Sequence, residues 1–400
     1  MRRVVMGFVI PFMLLLFVST NVLAQGEEEK LEIECEAFII MEEGSGRVLY
    51  EKNADKRMYP ASLTKVATAI YAIENGNLDG IATVSERARH ADGTRVYLEE
   101  GEQVPLRKLV QGLLINSGND AGIAIAEHME GSVEEFAIHL NQYLKEIGLH
   151  DTNFKNPHGL FDPEHVTTAK DLAKVTQYAM KNAEFRYIFG TEELKWDGAA
   201  WDTTLFTHHK LMRGRPYEGV TGGKTGYVDE SGNTLITTAK REDLSLIVVV
   251  LKGPSSNKAY ADTVELLDYA FDEFKLIDIP MGKEYKQNEH TYVTKERYTF
   301  PISHDEVYKE NITADGNLEI SIENQDFLAT LPLINESKEV VMQSPTPTKL
   351  ATSQPKEPKD EETPFKTFYL YTGLFLTLIG IYIIFTVRRR KKQIKKSRSL

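Results

Sequence analysis

Apolar positions fall along this chain in several distinct rhythms, and each rhythm predicts a different element. After Met1-Arg2-Arg3 comes a continuous apolar run, Val4–Val18, and then Val22-Leu23-Ala24. A charged start, a short apolar core and a small residue at the end read as a secretory signal, with cleavage after Ala24. Ala37–Met41 and Val48–Glu51 are apolar stretches on either side of the glycine-containing Glu42–Gly46, which predicts a β-hairpin. From Pro60 the pattern becomes helical: proline and small residues lead into a run that should continue through Glu74, with Ser62 in its first turn. The chain from about Leu106 to Phe189 is mainly helical in pattern. Within it the apolar Gln111–Ile115 ends at Asn116-Ser117-Gly118-Asn119, and helical Ala121–His128 follows. Strand character returns at Val220–Lys224, Thr234–Ala239 and Leu244–Leu251, where β-branched runs are separated by turn residues. Glu265–Phe274 is amphipathic at helical spacing. Leu318–Glu323 alternates strictly, as a half-exposed strand does.

Two strands before a helical insert and three after it predict an α/β (α+β) fold, one antiparallel sheet flanked by helices with a helical subdomain. The expected organisation is a signal peptide over 1–24, a catalytic-sized domain over 31–275 and a small β-rich domain over 279–342. A linker over 343–364 contains five prolines. Thr367–Val387 is 21 residues without a charge, and a helix of that length spans roughly 30 Å, about one hydrocarbon core. Arg388-Arg389-Arg390-Lys391-Lys392 follows at once, opening a basic tail over 388–400 that would stay in the cytoplasm. The expected topology is therefore single-pass, with the body outside the cell membrane and the C-terminus inside.

Charge narrows the partners. The formal net charge is −12. Setting aside the eight basic residues of Arg388–Arg398 and Arg2 and Arg3 leaves 37 basic against 59 acidic residues, a net −22. Such an acidic body argues against nucleic acid. Cys35 is the single cysteine, so an internal disulfide, a cysteine metal cluster and a redox pair are all excluded.

The chemistry-bearing stretch is Pro60-Ala61-Ser62-Leu63-Thr64-Lys65. Residues three apart on a helix share a face, which places the Lys65 amine beside the Ser62 hydroxyl. A serine hydroxyl needs a base to take its proton, and a lysine amine can be that base once its pKa is depressed. S-x-x-K alone is cheap, since it recurs at Ser255…Lys258 and Ser353…Lys356. S-x-N also recurs, at Ser231…Asn233 and Ser255…Asn257. Lys224-Thr225-Gly226 occurs once, 107 residues after Ser117, and Ser117-Gly118-Asn119 lies 55 residues after Ser62.

In that order and spacing the three stretches resemble the signatures of the penicillin-recognising serine enzymes. Within that superfamily the sequence is most similar to the low-molecular-mass D-alanyl-D-alanine carboxypeptidases. Gly46–Asn53, Asn156-Pro157-His158-Gly159-Leu160 and His209-Lys210-Leu211 support the resemblance. It implies Ser62 as nucleophile, Lys65 as general base and Ser117 as proton donor to the leaving amine. It also implies that Asn119, Lys224, Thr225, Gly226 and Tyr227 bind substrate, with the N–H groups of Ser62 and Tyr227 forming the oxyanion hole. The implied substrates are peptidoglycan stem peptides ending in D-Ala-D-Ala, the implied inhibitors β-lactams, and no cofactor is required. Relatives often end in an amphipathic surface helix, whereas this chain ends in what reads as a true span.

Competing readings are fewer. Class A β-lactamases need a glutamate followed by asparagine four residues on, and none lies between Asp120 and Lys224. Endopeptidase or transpeptidase activity depends on cleft shape and stays open, as does a non-catalytic wall-binding protein. His158 and His165, with Asp162 and Glu164 between them, match no metal-ligand spacing and read as loop packing or substrate contact. His208-His209 reads as a loop or surface pair. Trp196 and Trp201 read as anchors of their loop.

Overall fold

The structure is a computed structural model and describes residues 31–323 and 328–335. The expected signal peptide, proline-rich linker, membrane span and basic tail lie outside the described residues. Among the described residues no helix is long and apolar enough to cross a membrane.

The chain enters as β1 (Ala37–Glu42) and β2 (Val48–Lys52), the expected hairpin. Its turn is closed by the Glu42 carboxylate, which accepts from the N–H of Gly44 and Ser45 and from the Ser45 hydroxyl. A single 3-10 turn, Ala61–Leu63, then leads into α1 (Thr64–Asn75). Ser62 is thus in the turn before the helix, where a first helical turn was expected. The reason is Ala61, whose φ of 48° is incompatible with a continuous α-helix.

The helical body follows, interrupted by a short pairing of β3 (Ile81–Thr83) with β4 (Gln103–Pro105) around α2 (Glu86–Arg89). It comprises α3 (Leu106–Ile115), α4 (Asn119–Glu130), α5 (Val133–Glu146), α6 (Ala169–Met180) and α7 (Ala183–Phe189). Several starts are set by side-chain caps. Ser132, Thr168 and Asn182 each accept from N–H groups of the first turn they precede. A hairpin that the apolar pattern did not announce, β5 (Glu193–Asp197) and β6 (Asp202–Phe206), buries Trp196 completely against the body.

Three long strands close the sheet: β7 (Val220–Val228), β8 (Gly232–Arg241) and β9 (Leu244–Gly253). The five-stranded order is β2-β1-β9-β8-β7, all antiparallel. β9 is central, and Leu246–Leu251 is buried throughout because both faces are covered. Alternate residues serve different cores. Ile247, Val249 and Leu251 join Leu63, Val66, Ile70 and Leu172 on the helical-body side. Leu246, Val248 and Val250 join Leu266, Leu267 and Ala270 of α8 (Ser256–Glu273) on the other. The second S-x-x-K is explained here: Ser255 is the N-cap of α8 and accepts from the Lys258 N–H. That match is a helix cap.

Beyond α8, β10 (Phe274–Ile279) pairs with β13 (Tyr298–Ser303). β11 (Glu284–Gln287), β12 (His290–Thr294), β14 (Tyr308–Ile312), β15 (Asn317–Ile322) and β16 (Ala329–Asn335) form a second sheet, ordered β11-β12-β16-β15-β14. The alternating Leu318, Ile320 and Ile322 are its core-facing residues, packed with Ile279, Phe300 and Ile302. Arg47 of the first hairpin reaches this region, with a two-pronged ion pair to Glu306 at 2.8 and 3.1 Å and a hydrogen bond to the Pro301 carbonyl.

Candidate active site

Three segments distant in sequence converge at one end of the sheet. The 3-10 turn presents Ser62, the α3–α4 connection presents Ser117, and the edge strand β7 presents Lys224-Thr225-Gly226. Ser62, Ser117, Thr225, Gly226 and Tyr227 line one cleft of about 360 Å³, together with Thr94, His208 and Lys210.

Behind Ser62 the Lys65 side chain is fully buried. Its Nζ lies 2.8 Å from Ser62 Oγ, 2.7 Å from Asn119 Oδ1 and 2.8 Å from the His158 carbonyl. Burial first, then the nearby Lys224 charge, pushes the Lys65 pKa well below that of a free lysine, against an upward pull from Asp120. The depressed pKa favours the neutral amine, and the surroundings accommodate it. Two neighbours are carbonyl oxygens that can only accept, so they take the two N–H groups. The remaining lone pair then faces the Ser62 hydroxyl.

Lys224 Nζ donates to Ser117 Oγ at 2.9 Å and to the Thr225 carbonyl at 2.8 Å. Burial brings its pKa down to about 7. Ser117 sits at φ 63°, so a left-handed kink turns its hydroxyl away from α3 into the cleft. Asn119 is the first residue of α4, whereas a place in the connection itself was expected; its side chain still reaches Lys65. Thr225 and Tyr227 lie on β7, with the Tyr227 side chain exposed.

Gly226 also meets a packing requirement. A Cβ there would come 2.5 Å from Thr234 Oγ1, 2.9 Å from the Ser62 nitrogen and 3.1 Å from Ala61 Cβ. β7 and the nucleophile turn touch where any side chain would intervene, so the glycine lets the strand approach Ser62.

Further residues hold the nucleophile turn, and the pattern of apolar positions did not identify them. His165 Nδ1 accepts from the Lys155 N–H at 3.0 Å, which fixes the proton on Nε2. Nε2 lies 2.8 Å from Thr64 Oγ1, and the Thr64 hydroxyl donates to the Ala61 carbonyl at 2.9 Å. The strained Ala61 is thereby pinned through a buried relay. His158 supplies its carbonyl to Lys65 and its Nδ1 to the Leu160 N–H. Both rings are buried and pushed strongly toward the neutral form, His165 to about 3. The loop-packing reading of the pair therefore holds. Among the described residues no cluster of three or more His, Cys, Asp or Glu could hold a metal. His209 is buried against Thr237, while its neighbour His208 faces the cleft, so the two are not an equivalent surface pair. The signal for both is their position just before the third motif. Trp201 packs edge-to-face on Tyr97 at 5.0 Å, as an anchor would.

Comparison with known proteins agrees with this geometry. Residues 24–255 match the family described as D-alanyl-D-alanine carboxypeptidase, Peptidase_S11. The D-alanyl-D-alanine carboxypeptidase DacF of Bacillus subtilis is 31% identical over 376 residues, covering 87% of this chain and 94% of that protein. Among solved structures, penicillin binding protein 5 from Haemophilus influenzae superposes with a TM-score of 0.67 at 24% identity, over 76% of this chain and 97% of the other, and supports the fold. Penicillin binding protein 6B from Escherichia coli gives 0.65 at 26% identity, over 76% and 96%. With a buried lysine set against a serine at the mouth of such a cleft, and matches of this extent, the chain belongs to the D-alanyl-D-alanine carboxypeptidase family of serine peptidases.

Proposed function

We propose that the chain removes the terminal D-alanine from peptidoglycan stem pentapeptides through an acyl-enzyme on Ser62. The observation that carries this is the Lys65 amine, buried and 2.8 Å from Ser62 Oγ, with its two N–H groups committed to carbonyl acceptors. Ser62 Oγ attacks the carbonyl of the penultimate D-alanine while its proton moves to Lys65 Nζ. The tetrahedral oxyanion is held by the N–H groups of Ser62 and Tyr227, each such donor contributing about 3–4 kcal/mol. Collapse expels the D-alanine amine, which takes a proton from the Ser117 hydroxyl that Lys224 holds, while Ser117 takes in turn the proton carried by Lys65, leaving Lys65 neutral again. Lys224 and Thr225 bind the carboxylate of the departing residue, and Asn119 orients an amide of the stem. Water then attacks the acyl carbonyl with Lys65 again as base, releasing the shortened peptide and restoring Ser62.

β-Lactams mimic the scissile amide beside a carboxylate, so they acylate Ser62; lacking a dedicated deacylating glutamate, the adduct is long-lived. The apolar segments at the two ends support an exported body tethered to the cell membrane by 367–387, with 388–400 cytoplasmic.

The test is release of free D-alanine from a stem pentapeptide by the purified full chain, together with covalent labelling by fluorescent penicillin. Wild type should do both, and Ser62→Ala neither. A labelled Ser62→Ala protein would overturn the assignment of the nucleophile. A labelled wild type that releases no D-alanine would favour endopeptidase or transpeptidase activity, and a wild type that neither labels nor releases D-alanine a wall-binding role.

A further inference from the structure

Residues 92–98 lie across the start of α4, and one buried side chain joins them to it. Asp120, the second residue of α4, is fully buried. Its Oδ1 accepts from the N–H of Val96 at 3.0 Å and of Ala121 at 2.9 Å. Its Oδ2 accepts from Val96 at 3.0 Å and from Leu98 at 3.1 Å. Every one of these contacts is a donor, so the ionised carboxylate fits, while a protonated acid would aim its O–H at an N–H. Burial pushes the carboxyl up, and the N–H bonds oppose that shift.

Around this clamp the two segments exchange further bonds. Asn119 N–H donates to the Thr94 carbonyl at 2.7 Å, Asn119 Nδ2 to the Asp92 carbonyl at 2.6 Å and Asn116 Nδ2 to the Arg95 carbonyl at 2.9 Å. Tyr97, between the two tethered N–H groups, is at φ 56°, and Ser117 is at φ 63°. Neither conformation is favoured by a side-chain-bearing residue in isolation, so both depend on the surrounding bonds.

We propose that Asp120 is a positioning residue for the reaction, clamping residues 92–98 to the start of α4 so that Asn119 and Ser117 stay in register with Lys65 and Lys224. This rests on the carboxypeptidase reading above. Asp120 bonds only to backbone N–H groups in this clamp and acts through Asn119, whose Oδ1 is 2.7 Å from Lys65 Nζ.

Its charge has a second effect. The groups bearing on Lys65 are Lys224, which disfavours its protonation, and Asp120, which favours it. His158 and His165 stand close by in their neutral forms. A neutral residue at 120 therefore lets Lys65 shed its proton at lower pH. Since neutral Lys65 is the base, the acid limb of kcat/KM moves to lower pH, a displacement that a purely structural role would not produce.

The experiment compares the full chain with Asp120→Asn and Asp120→Ser, measuring D-alanine release across pH and penicillin labelling, with circular dichroism to confirm folding. In the folded variants kcat/KM should fall about 10²-fold, the loss expected when reacting groups are displaced by about 1 Å. The acid limb should shift downward. Activity within threefold of wild type, or a fall with the acid limb unmoved, would overturn the proposal. Failure of both variants to fold would also overturn it, by making Asp120 a stability element. If wild type itself releases no D-alanine, the carboxypeptidase reading fails first, and that result is distinguishable from all of these.

Discussion

Thr64→Val is the sharpest probe of how the nucleophile is held. The two side chains are nearly equal in volume, so the change removes hydrogen bonds and opens little cavity. Thr64 Oγ1 is fully buried, donates to the Ala61 carbonyl at 2.9 Å and faces His165 Nε2 at 2.8 Å. Valine leaves the imidazole N–H without a partner in an interior that water does not reach, and leaves the Ala61 carbonyl with only the backbone N–H of residue 64. One such orphaned group costs about 1–3 kcal/mol. At about 2–4 °C per kcal/mol the melting temperature should fall by roughly 2–12 °C. The functional consequence follows from Ala61. Its left-handed conformation carries about 1–2 kcal/mol of strain, and without the Thr64 bond that strain can relax by moving the adjacent Ser62. A displacement of about 1 Å would slow acylation about 10²-fold. The assay is the rate of labelling by fluorescent penicillin at a temperature where the variant is folded, with Thr64→Ser as control. Serine keeps the hydroxyl and loses one methyl, costing about 1 kcal/mol, and should acylate near the wild-type rate. A folded Thr64→Val that acylates within threefold of wild type, or a Thr64→Ser equally impaired, would refute the relay.

Two other predictions follow from the same turn and its neighbouring cation. Gly159 is at φ 87°, and a Cβ there would lie 1.8 Å from the Ala61 carbonyl oxygen. Gly159→Ala should therefore abolish penicillin labelling and sharply lower the melting temperature; retention of both would mean the Asn156–Leu160 loop moves freely. Lys224 is brought to about 7 by burial, and its cationic form is the one that holds a carboxylate. As pH rises through that value the cation is lost, so kcat/KM for a peptide with a free C-terminus should decline above about pH 7. The residual turnover of a C-terminally amidated peptide should lack that decline. Identical alkaline limbs for the two substrates would detach Lys224 from carboxylate binding.

The order and spacing of three short motifs made the reaction class legible, because each motif carries a chemical group that the reaction cannot do without. The apolar rhythm made the main sheet and the helical body legible for a related reason: burial on one face imposes a period of two or 3.6 wherever it occurs. The run at β9 announced a strand, which the structure covers on both faces, and Leu318–Ile322 announced one covered on a single side. The β5–β6 hairpin escaped notice since Glu193–Asp197 and Asp202–Phe206 are mostly polar and bury little beyond Trp196 and Leu205.

Tertiary structure alone decided how the motif residues are held. Asp120 belongs to none of the three motifs, and only the fold lays the backbone of Val96 and Leu98 over it. A histidine on a loop reads as packing, and only the fold sets His165 against Thr64. The resemblance implies that Gly226 binds substrate, and only the fold shows that its missing side chain is the space the Ser62 turn occupies. The physical reason is common to all three. Chemical groups and periodicities are local properties of a chain, whereas pKa shifts, strain and close approach arise between residues about 20 to 160 positions apart, and exist only once those residues are brought together.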